Sequence, residues 1–298
     1  MRNLEYAVQK TLSFTRKEGL HTTALPWLSI VRSNKPTTFE MVLYEPSVCI
    51  VLQGKKETRL EQVTYQTDTA NYVVGALSLP VLGAVMEASD TSPYLCLRID
   101  IDSKVIAELV DSQALAQQPC QPVSGMAVAK MDEYMMDTVG RLLDSLHSPA
   151  TSQALAPLIQ KEIYWRLLQQ VPLETLLLQL VKDSKQYALY KTIKWLEENF
   201  AQSDNVEHLA QLAGMSLSSF YTHFKAVTGI SPLQYRNRLR LVKARKLMIA
   251  KGYHAAQAGF EVGYQEPAQF SREYSRLFGM PPKKDIARIK ASALGDFV

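Results

Sequence analysis

Between Leu25 and Ile101 short β-rich runs are broken by turn residues, a pattern that predicts the strands of a sandwich or barrel. Seven strands are expected: Leu28 to Arg32, Val48 to Gln53, Glu57 to Leu60, Val63 to Gln66, Asn71 to Val74, Val81 to Met86 and Tyr94 to Ile101. The run from Val48 to Gln53 is continuously apolar up to Gly54, which predicts burial on both faces. Along Tyr94-Leu95-Cys96-Leu97-Arg98-Ile99-Asp100 apolar residues alternate with small or charged ones. One face of that strand should meet a core and the other a cavity or solvent. The period then changes. Lys104 to Ala114, Asp132 to Leu146 and Ser152 to Gln170 space their apolar residues as helices do. The third has a wide stripe through Leu155, Leu158, Ile159, Ile163 and Leu167, suited first to packing on its own domain and second to sealing a dimer.

A second region begins at Lys182-Asp183-Ser184-Lys185, which sets expected domains at residues 1–183 and 184–298. Asp183 and Ser184 can cap a helix running to Phe200 with Leu189, Ile193, Trp195 and Leu196 inward. A polar turn starts a helix carrying Val206, Leu209, Ala210 and Ala213, of which the small Ala210 and Ala213 let a second helix cross closely. Gly214 ends it, Ser216 caps the next, and Leu217, Phe220 and Phe224 are expected inside. Ser231-Pro232 opens a basic helix to Ala250, eighteen residues from Leu233 or roughly 27 Å, near the ~34 Å repeat of B-DNA. The same design then repeats: Ala255 to Val262, a turn at Gly263-Tyr264, and a helix from Glu266 to Phe278 with Phe270, Tyr274, Leu277 and Phe278 inward. Two helix-turn-helix units about one linker helix apart predict a DNA-binding protein with an all-α C-terminal domain.

Charge sharpens the division. Residues 1–183 hold 16 Lys+Arg against 20 Asp+Glu, and residues 184–298 hold 17 against 9, so a basic domain follows a mildly acidic one. That suits a polyanion at one end only, although a solvated basic face has the same composition. The charged N-terminus lacks a signal-peptide core, and the apolar stretch Tyr72 to Met86 is short and interrupted by Gly75, Pro80 and Gly83. A cytoplasmic protein without membrane association is expected. Cys49, Cys96 and Cys120 have neither zinc-ligand spacing nor an even count. No histidine lies between Thr22 and Leu146, which argues against a metal-dependent dioxygenase or isomerase, and neither metal nor cofactor is expected. No nucleophile and base stand at a recognisable spacing, so an enzyme is not expected. A pocket for an organic ligand remains open, with Tyr44, Gln53, Tyr72, Met86, Cys96 and Arg98 as candidate lining. A one-residue slip in register would reverse which of these face inward. Cys96 is either a sensor thiol or, more commonly for such a residue, an inert buried one.

Specific motifs then converge. Gly263-Tyr264, Phe270-Ser271-Arg272, Phe278-Gly279 and Pro281-Pro282, with the earlier Phe224-Lys225, Thr228-Gly229, Ser231-Pro232 and Tyr235, resemble the signature of AraC/XylS-type transcription regulators over about residues 185 to 290. Val51-Leu52-Gln53-Gly54-Lys55, Leu79-Pro80, Glu87-Ala88-Ser89 and Ile163-Tyr164-Trp165-Arg166-Leu167-Leu168 resemble the cupin-type effector and dimerisation domain of a branch of that family. The resemblance implies a cupin-like β barrel followed by helices, then two helix-turn-helix units joined by a linker helix. It implies promoter DNA, double-stranded, as partner, a small organic effector, and RNA polymerase as a further contact, with a monomer or a homodimer as the binding form. By position, Ser218, Ser219, Tyr221 and Thr222 face DNA from the first unit, and Pro267, Ala268, Gln269, Ser271, Arg272 and Arg276 from the second. Lys225 and Arg240 are candidates for phosphate contact or domain packing. Family members commonly carry Arg where this chain has Thr222, so Arg272 is expected to supply more of the base discrimination. A constitutive DNA-binding protein whose β domain only dimerises, and a barrel enzyme tethered to DNA, are the alternatives.

Overall fold

Alternation sends Val48, Ile50 and Leu52 to one side of a strand and Cys49 and Val51 to the other, and all five are buried. Two different cores require this. The computed structural model describes residues 3–113, 123–181, 187–202 and 205–290. Its β region holds two antiparallel sheets, built from β1 (Gly19–Thr22), β2 (Leu28–Ser33), β3 (Glu40–Tyr44), β4 (Ser47–Gln53), β5 (Lys55–Leu60), β6 (Val63–Thr67), β7 (Asn71–Gly75), β8 (Leu79–Glu87), β9 (Tyr94–Asp100) and β10 (Met126–Lys130). The six-stranded sheet runs β1-β2-β9-β4-β7-β10 and the four-stranded sheet β3-β8-β5-β6. All seven expected strands form. β1, β3 and β10 are additional to them, being short, glycine-started or alanine-rich and lacking a clear alternation.

The outer face of the six-stranded sheet carries Leu28, Ile30, Val48, Ile50, Tyr72, Val74, Leu95, Leu97 and Ile99. These pack in one core with α1 (Leu4–Phe14), α2 (Ser103–Gln113), α3 (Glu133–Ser145), α4 (Pro149–Leu168) and α5 (Val171–Leu178). Ser148 and Pro149 start α4 earlier than the apolar stripe alone suggests, and Leu155 and Leu158 on it remain exposed. The inner face, with Cys49, Val51, Val73, Tyr94 and Cys96, packs against Tyr44, Leu60, Leu79, Val81 and Val85 of the four-stranded sheet.

That inner core does not stop at the β region. It continues into Leu189, Ile193, Phe220, Phe224, Val227 and Tyr235 of the helical region. This region comprises α6 (Tyr187–Glu198), α7 (Val206–Leu212), α8 (Leu217–Thr228), α9 (Pro232–Ala250), α10 (Ala255–Glu261), α11 (Pro267–Phe278) and α12 (Pro282–Lys290). A separate core of Leu241, Ala244, Met248, Ala258, Val262, Tyr264, Phe270 and Tyr274 holds α10 and α11 on the second half of α9. The boundary expected at 183/184 and the caps expected at Asp183 and Ser184 lie outside the described residues, as does Cys120.

Polar contacts tie the two regions together. The Gly125 amide donates to the Val227 carbonyl at 2.7 Å. The Tyr235 hydroxyl is shared between the Ser78 carbonyl, 2.6 Å, and the Glu197 carboxylate, 2.8 Å. Arg238 pairs with Glu61 at the turn between β5 and β6. Arg245, fully buried, lies 2.8 Å from Glu40 of β3 and 2.7 Å from Asp285 of α12, and Arg288 lies 2.6 Å from Glu40. Burial pushes the Asp285 carboxyl up, but hydrogen bonds from Arg245, Tyr274 and Arg288 outweigh it and hold the group below its ordinary range.

Candidate nucleic-acid interface and effector cavity

Local chemistry sets each helix-turn-helix unit. In the first, Asn205 caps α7 by accepting from the His208 amide, and Ser216 caps α8 by accepting from Ser219. Gly214 turns between them at φ 65°, where its missing Cβ would meet nothing. Phe220, Phe224 and Tyr235 stack edge to face or tilted with centroids 5.4 and 5.5 Å apart. Ser218, Thr222 and Lys225 are exposed, with Ser219 and Tyr221 half-buried beside them. Leu217, expected inside, is partly exposed at the first position of α8. The Thr222 hydroxyl donates to the Ser218 carbonyl at 3.1 Å, which leaves its methyl and lone pairs for a partner. Ser219 is similarly engaged, its hydroxyl 3.0 Å from His223 Nδ1.

In the second unit Pro267 begins α11, and Pro267, Ala268, Gln269, Arg272 and Arg276 are exposed with Ser271 half-buried. Gln269 donates to Glu273 at 3.1 Å, and the Tyr264 hydroxyl donates to the same carboxylate at 2.7 Å. Arg272 and Arg276 are exposed, and among the described residues neither forms an ion pair. Gly263 is needed more strictly than Gly214. Its φ is 93°, and a Cβ there would stand 2.3 Å from the Ala201 carbonyl.

Arg240 is the exception among the expected DNA-facing residues. It is buried, and its guanidinium donates to the carbonyls of Phe200, Ala201 and Gln202 at 2.7, 3.2 and 2.9 Å. Of the two roles expected for it, domain packing is the one its geometry supports. It fastens the segment after α6 beneath the Gly263 turn and so joins one unit to the other.

A cavity of about 190 Å³ opens between the two sheets. Of the six candidate lining residues, Tyr44, Cys96 and Arg98 lie on it, together with Cys49, Tyr94, Lys56, Glu40 and Glu45. Gln53, Tyr72 and Met86 do not. Tyr72 stands opposite Ile50 and faces the helices, where its hydroxyl accepts from Gln170 at 2.8 Å. Met86 is exposed near the end of β8. Gln53 lies beyond a register shift and donates to the Pro93 carbonyl at 2.7 Å. Tyr94 shares the face of Cys96 and Arg98 and was legible from the alternation. Lys246, which completes the wall from α9, had no signal in the sequence.

The cavity is polar at its rim and underfilled in hydrogen bonds at its floor. Glu45 meets Arg98 at 2.8 Å and Lys246 at 3.5 Å. Burial raises the Glu45 carboxyl, but the two cations outweigh it and keep it below its ordinary value. Tyr44 and Tyr94 are buried, and neither hydroxyl has a hydrogen-bond partner of good geometry. Their polar neighbours are the Cys49 and Cys96 sulfurs, which bond weakly, and for Tyr44 also the Ser47 side chain. Among the described residues no ion pair is recorded for Lys56, which also lines the cavity.

No described helix is long and apolar enough to cross a membrane. The family model of the AraC-type transcriptional regulator N-terminus matches residues 24–172, half of the chain, and a helix-turn-helix domain matches residues 209–288. The activator RhaS of Escherichia fergusonii is 29% identical over 155 residues, covering 52% of this chain and 55% of RhaS. RhaS of Salmonella schwarzengrund is 33% identical over 95 residues, 32% of this chain and 34% of that protein. The chain thus spans between a third and about half of the length of these curated relatives. A single-substitution variant of ToxT from Vibrio cholerae, in its apo form, superposes with a TM-score of 0.61 at 11% identity, covering 91% of this chain and 99% of ToxT, a likeness of fold. ToxT with a bound unsaturated fatty acid gives 0.56 at 10% identity, over 91% of this chain and 97% of that one. With one domain model covering half its length, a second over its helical region and the two-part fold in common, the chain belongs to the AraC-type transcriptional regulators.

Proposed function

We propose that this chain is a sequence-specific regulator that binds duplex promoter DNA through α8 and α11 and is controlled by a small organic acid held in the β cavity. The observation that carries this reading is the cavity wall: Lys246, from the helix between the two reading units, stands with Arg98 and Lys56 over two buried, unpartnered phenols. A bound anion therefore meets the linker helix directly, and its differential contacts with two arrangements of that helix would shift their populations. Size limits the effector. A cavity of about 190 Å³ is only a little larger than the ~150 Å³ that accommodates benzene, so a short or single-ring acid fits. The fatty acid bound to ToxT supports an acidic ligand in this fold. Functional parts at residues 1–183 and 184–298 follow, and the exposed Leu155 and Leu158 on α4 support self-association of the first.

The test is fluorescence anisotropy of the full chain on the DNA upstream of its own gene, across a salt series and with a panel of small aromatic and aliphatic carboxylic acids. The expected results are affinity that falls steeply with salt, a change in affinity with one class of acid, and loss of that response in Lys246→Met. Salt-independent or sequence-blind binding would overturn the DNA reading, and DNA affinity indifferent to every acid would overturn the effector reading.

A further inference from the structure

Two phenols in the cavity between the sheets end on nothing that holds them. Tyr94 is 1% exposed and Tyr44 6%, both line the cavity, and neither hydroxyl has a hydrogen-bond partner of good geometry among the described residues. An unmet buried hydroxyl costs free energy, and phenylalanine would supply the same ring without that cost. The Tyr44 ring lies across Gly75 of β7, where a Cβ would stand 2.6 Å from its Cε1, so the chain makes room for it there. Unmet donors in a cavity, rather than in a packed core, mark groups kept for a ligand.

The charges on the same wall admit one anion. Lys56, Arg98 and Lys246 face Glu40 and Glu45, three cations against two carboxylates. Glu45 lies between Arg98 and Lys246, Arg98 also meets Asp100 at 3.0 Å, and Glu40 is taken by Arg245 and Arg288. Among the described residues Lys56 forms no ion pair, so one positive charge is left over and a single carboxylate balances it. A second negative charge would face Glu40 and Glu45 in a space of low dielectric with no cation left to meet it. Direction then separates the charged end from Tyr94. Tyr94 and Arg98 stand four residues apart on one face of β9, roughly 13 Å at the backbone, and the Arg98 guanidinium reaches away from Tyr94, to Asp100 and Glu45. A carboxylate drawn to Arg98 and Lys246 therefore leaves the Tyr94 hydroxyl a different oxygen to meet, while Tyr44, next to Glu45 in the chain, can donate to the carboxylate.

We propose that the cavity selects a short monocarboxylate bearing one neutral oxygen acceptor, a hydroxyl or a carbonyl, and that Tyr94 is the residue that reads that oxygen. The Tyr94 hydroxyl donates to the neutral oxygen, the Tyr44 hydroxyl and the cations take the carboxylate, and Val31, Val42 and Val85 pack against the carbons between. A parent acid without the oxygen leaves Tyr94 unmet in a buried site, and a dianion brings a charge that the wall does not balance. The selection rests on the effector reading proposed above, because it presumes an acid in this cavity.

The test is isothermal titration calorimetry of the full chain with two matched series of acids. Valerate, levulinate and succinate form one series, and benzoate, meta- and para-hydroxybenzoate and terephthalate the other. In the series that binds, an oxygenated monoacid is expected to bind at least about tenfold more tightly than its parent, and the dianion more weakly than that monoacid. Tyr94→Phe keeps the ring and should bring the first ratio close to one. Equal affinities for parent and oxygenated acids, a dianion that binds tightest, or a preference untouched in Tyr94→Phe would overturn the inference while leaving the effector reading in place. Binding of no acid from either series would overturn both. The comparison between ligands is made on the unsubstituted chain, so the folding of the variant does not decide it.

Discussion

The two helix-turn-helix units share a plan and differ in what holds them. Phe220 and Phe224 of the first are packed in the same core as Val51, Tyr94 and Cys96 of the β region, so that unit is built into the body of the molecule. The second has its own core around Phe270 and Tyr274 and meets the β region through charge, with Arg245 and Arg288 on Glu40. Their outward faces differ in the same sense: Ser218, Tyr221 and Thr222 are neutral, whereas Arg272 and Arg276 are exposed and cationic. A repeated motif thus keeps its internal geometry while its attachment and its recognition chemistry diverge. An apolar joint is non-directional, but a buried ionic one fails sharply when a single partner is lost.

The sharpest break should come from Arg245→Met. It strands Asp285 and Glu40 with one partner fewer in a buried site and is expected to cost about 3–5 kcal/mol, read by urea unfolding as early loss of the second unit. Next come the paired turns. Gly263→Ala forces a methyl onto the Ala201 carbonyl at a left-handed φ and should cost about 2–4 kcal/mol, whereas Gly214→Ala, with open space around it, should cost about 1 kcal/mol. Equal values from thermal unfolding would show that the two turns are equivalent after all. On DNA, Arg272→Ala should lose about 1–3 kcal/mol and relax base preference, against less than about 1 kcal/mol for Thr222→Ala, both measured by anisotropy on matched and mismatched sites.

The smallest effect concerns Glu197, whose carboxyl burial raises above its ordinary value while hydrogen bonds from Tyr235 and Ser78 offset only part. A raised carboxyl binds its proton more readily folded than unfolded, so stability should fall as pH rises from the ordinary carboxylate value through the raised one. Glu197→Gln should flatten that slope in a pH series of unfolding curves. A slope unchanged by the substitution would assign it elsewhere.

What could be read from the chain was local. Turn glycines, serine caps and aromatic spacing act within a few residues, which is why both helix-turn-helix units and the seven strands were legible. The unbroken apolar run of β4 correctly implied two cores, because each parity of its side chains needs one. Alternation separates two faces without saying which holds a cavity, so Cys96 and Arg98 were placed correctly while Tyr72, on the other parity, faces the helices. Gln53 lies past a bulge that no local signal announces. Lys246 is some two hundred residues from the strands it joins, and only tertiary packing reveals it. The ionic fastening through Arg245 and the burial of Arg240 were hidden for a related reason, since a basic helix reads as solvated until its partners are known.

One joint between the regions has no side chain in it. The Gly125 amide meets the Val227 carbonyl directly, and Gly125 allows the approach because a Cβ there would lie 3.2 Å from that same oxygen. Substitution at Val227 cannot remove the carbonyl, so the hydrogen bond survives there even though the Val227 side chain is itself held in the core, whereas a substitution at Gly125 crowds the bond directly. Among descendants of this chain the glycine is expected to persist, and a reading head exchanged between regulators would have to bring with it side chains that fit the core it shares with the body.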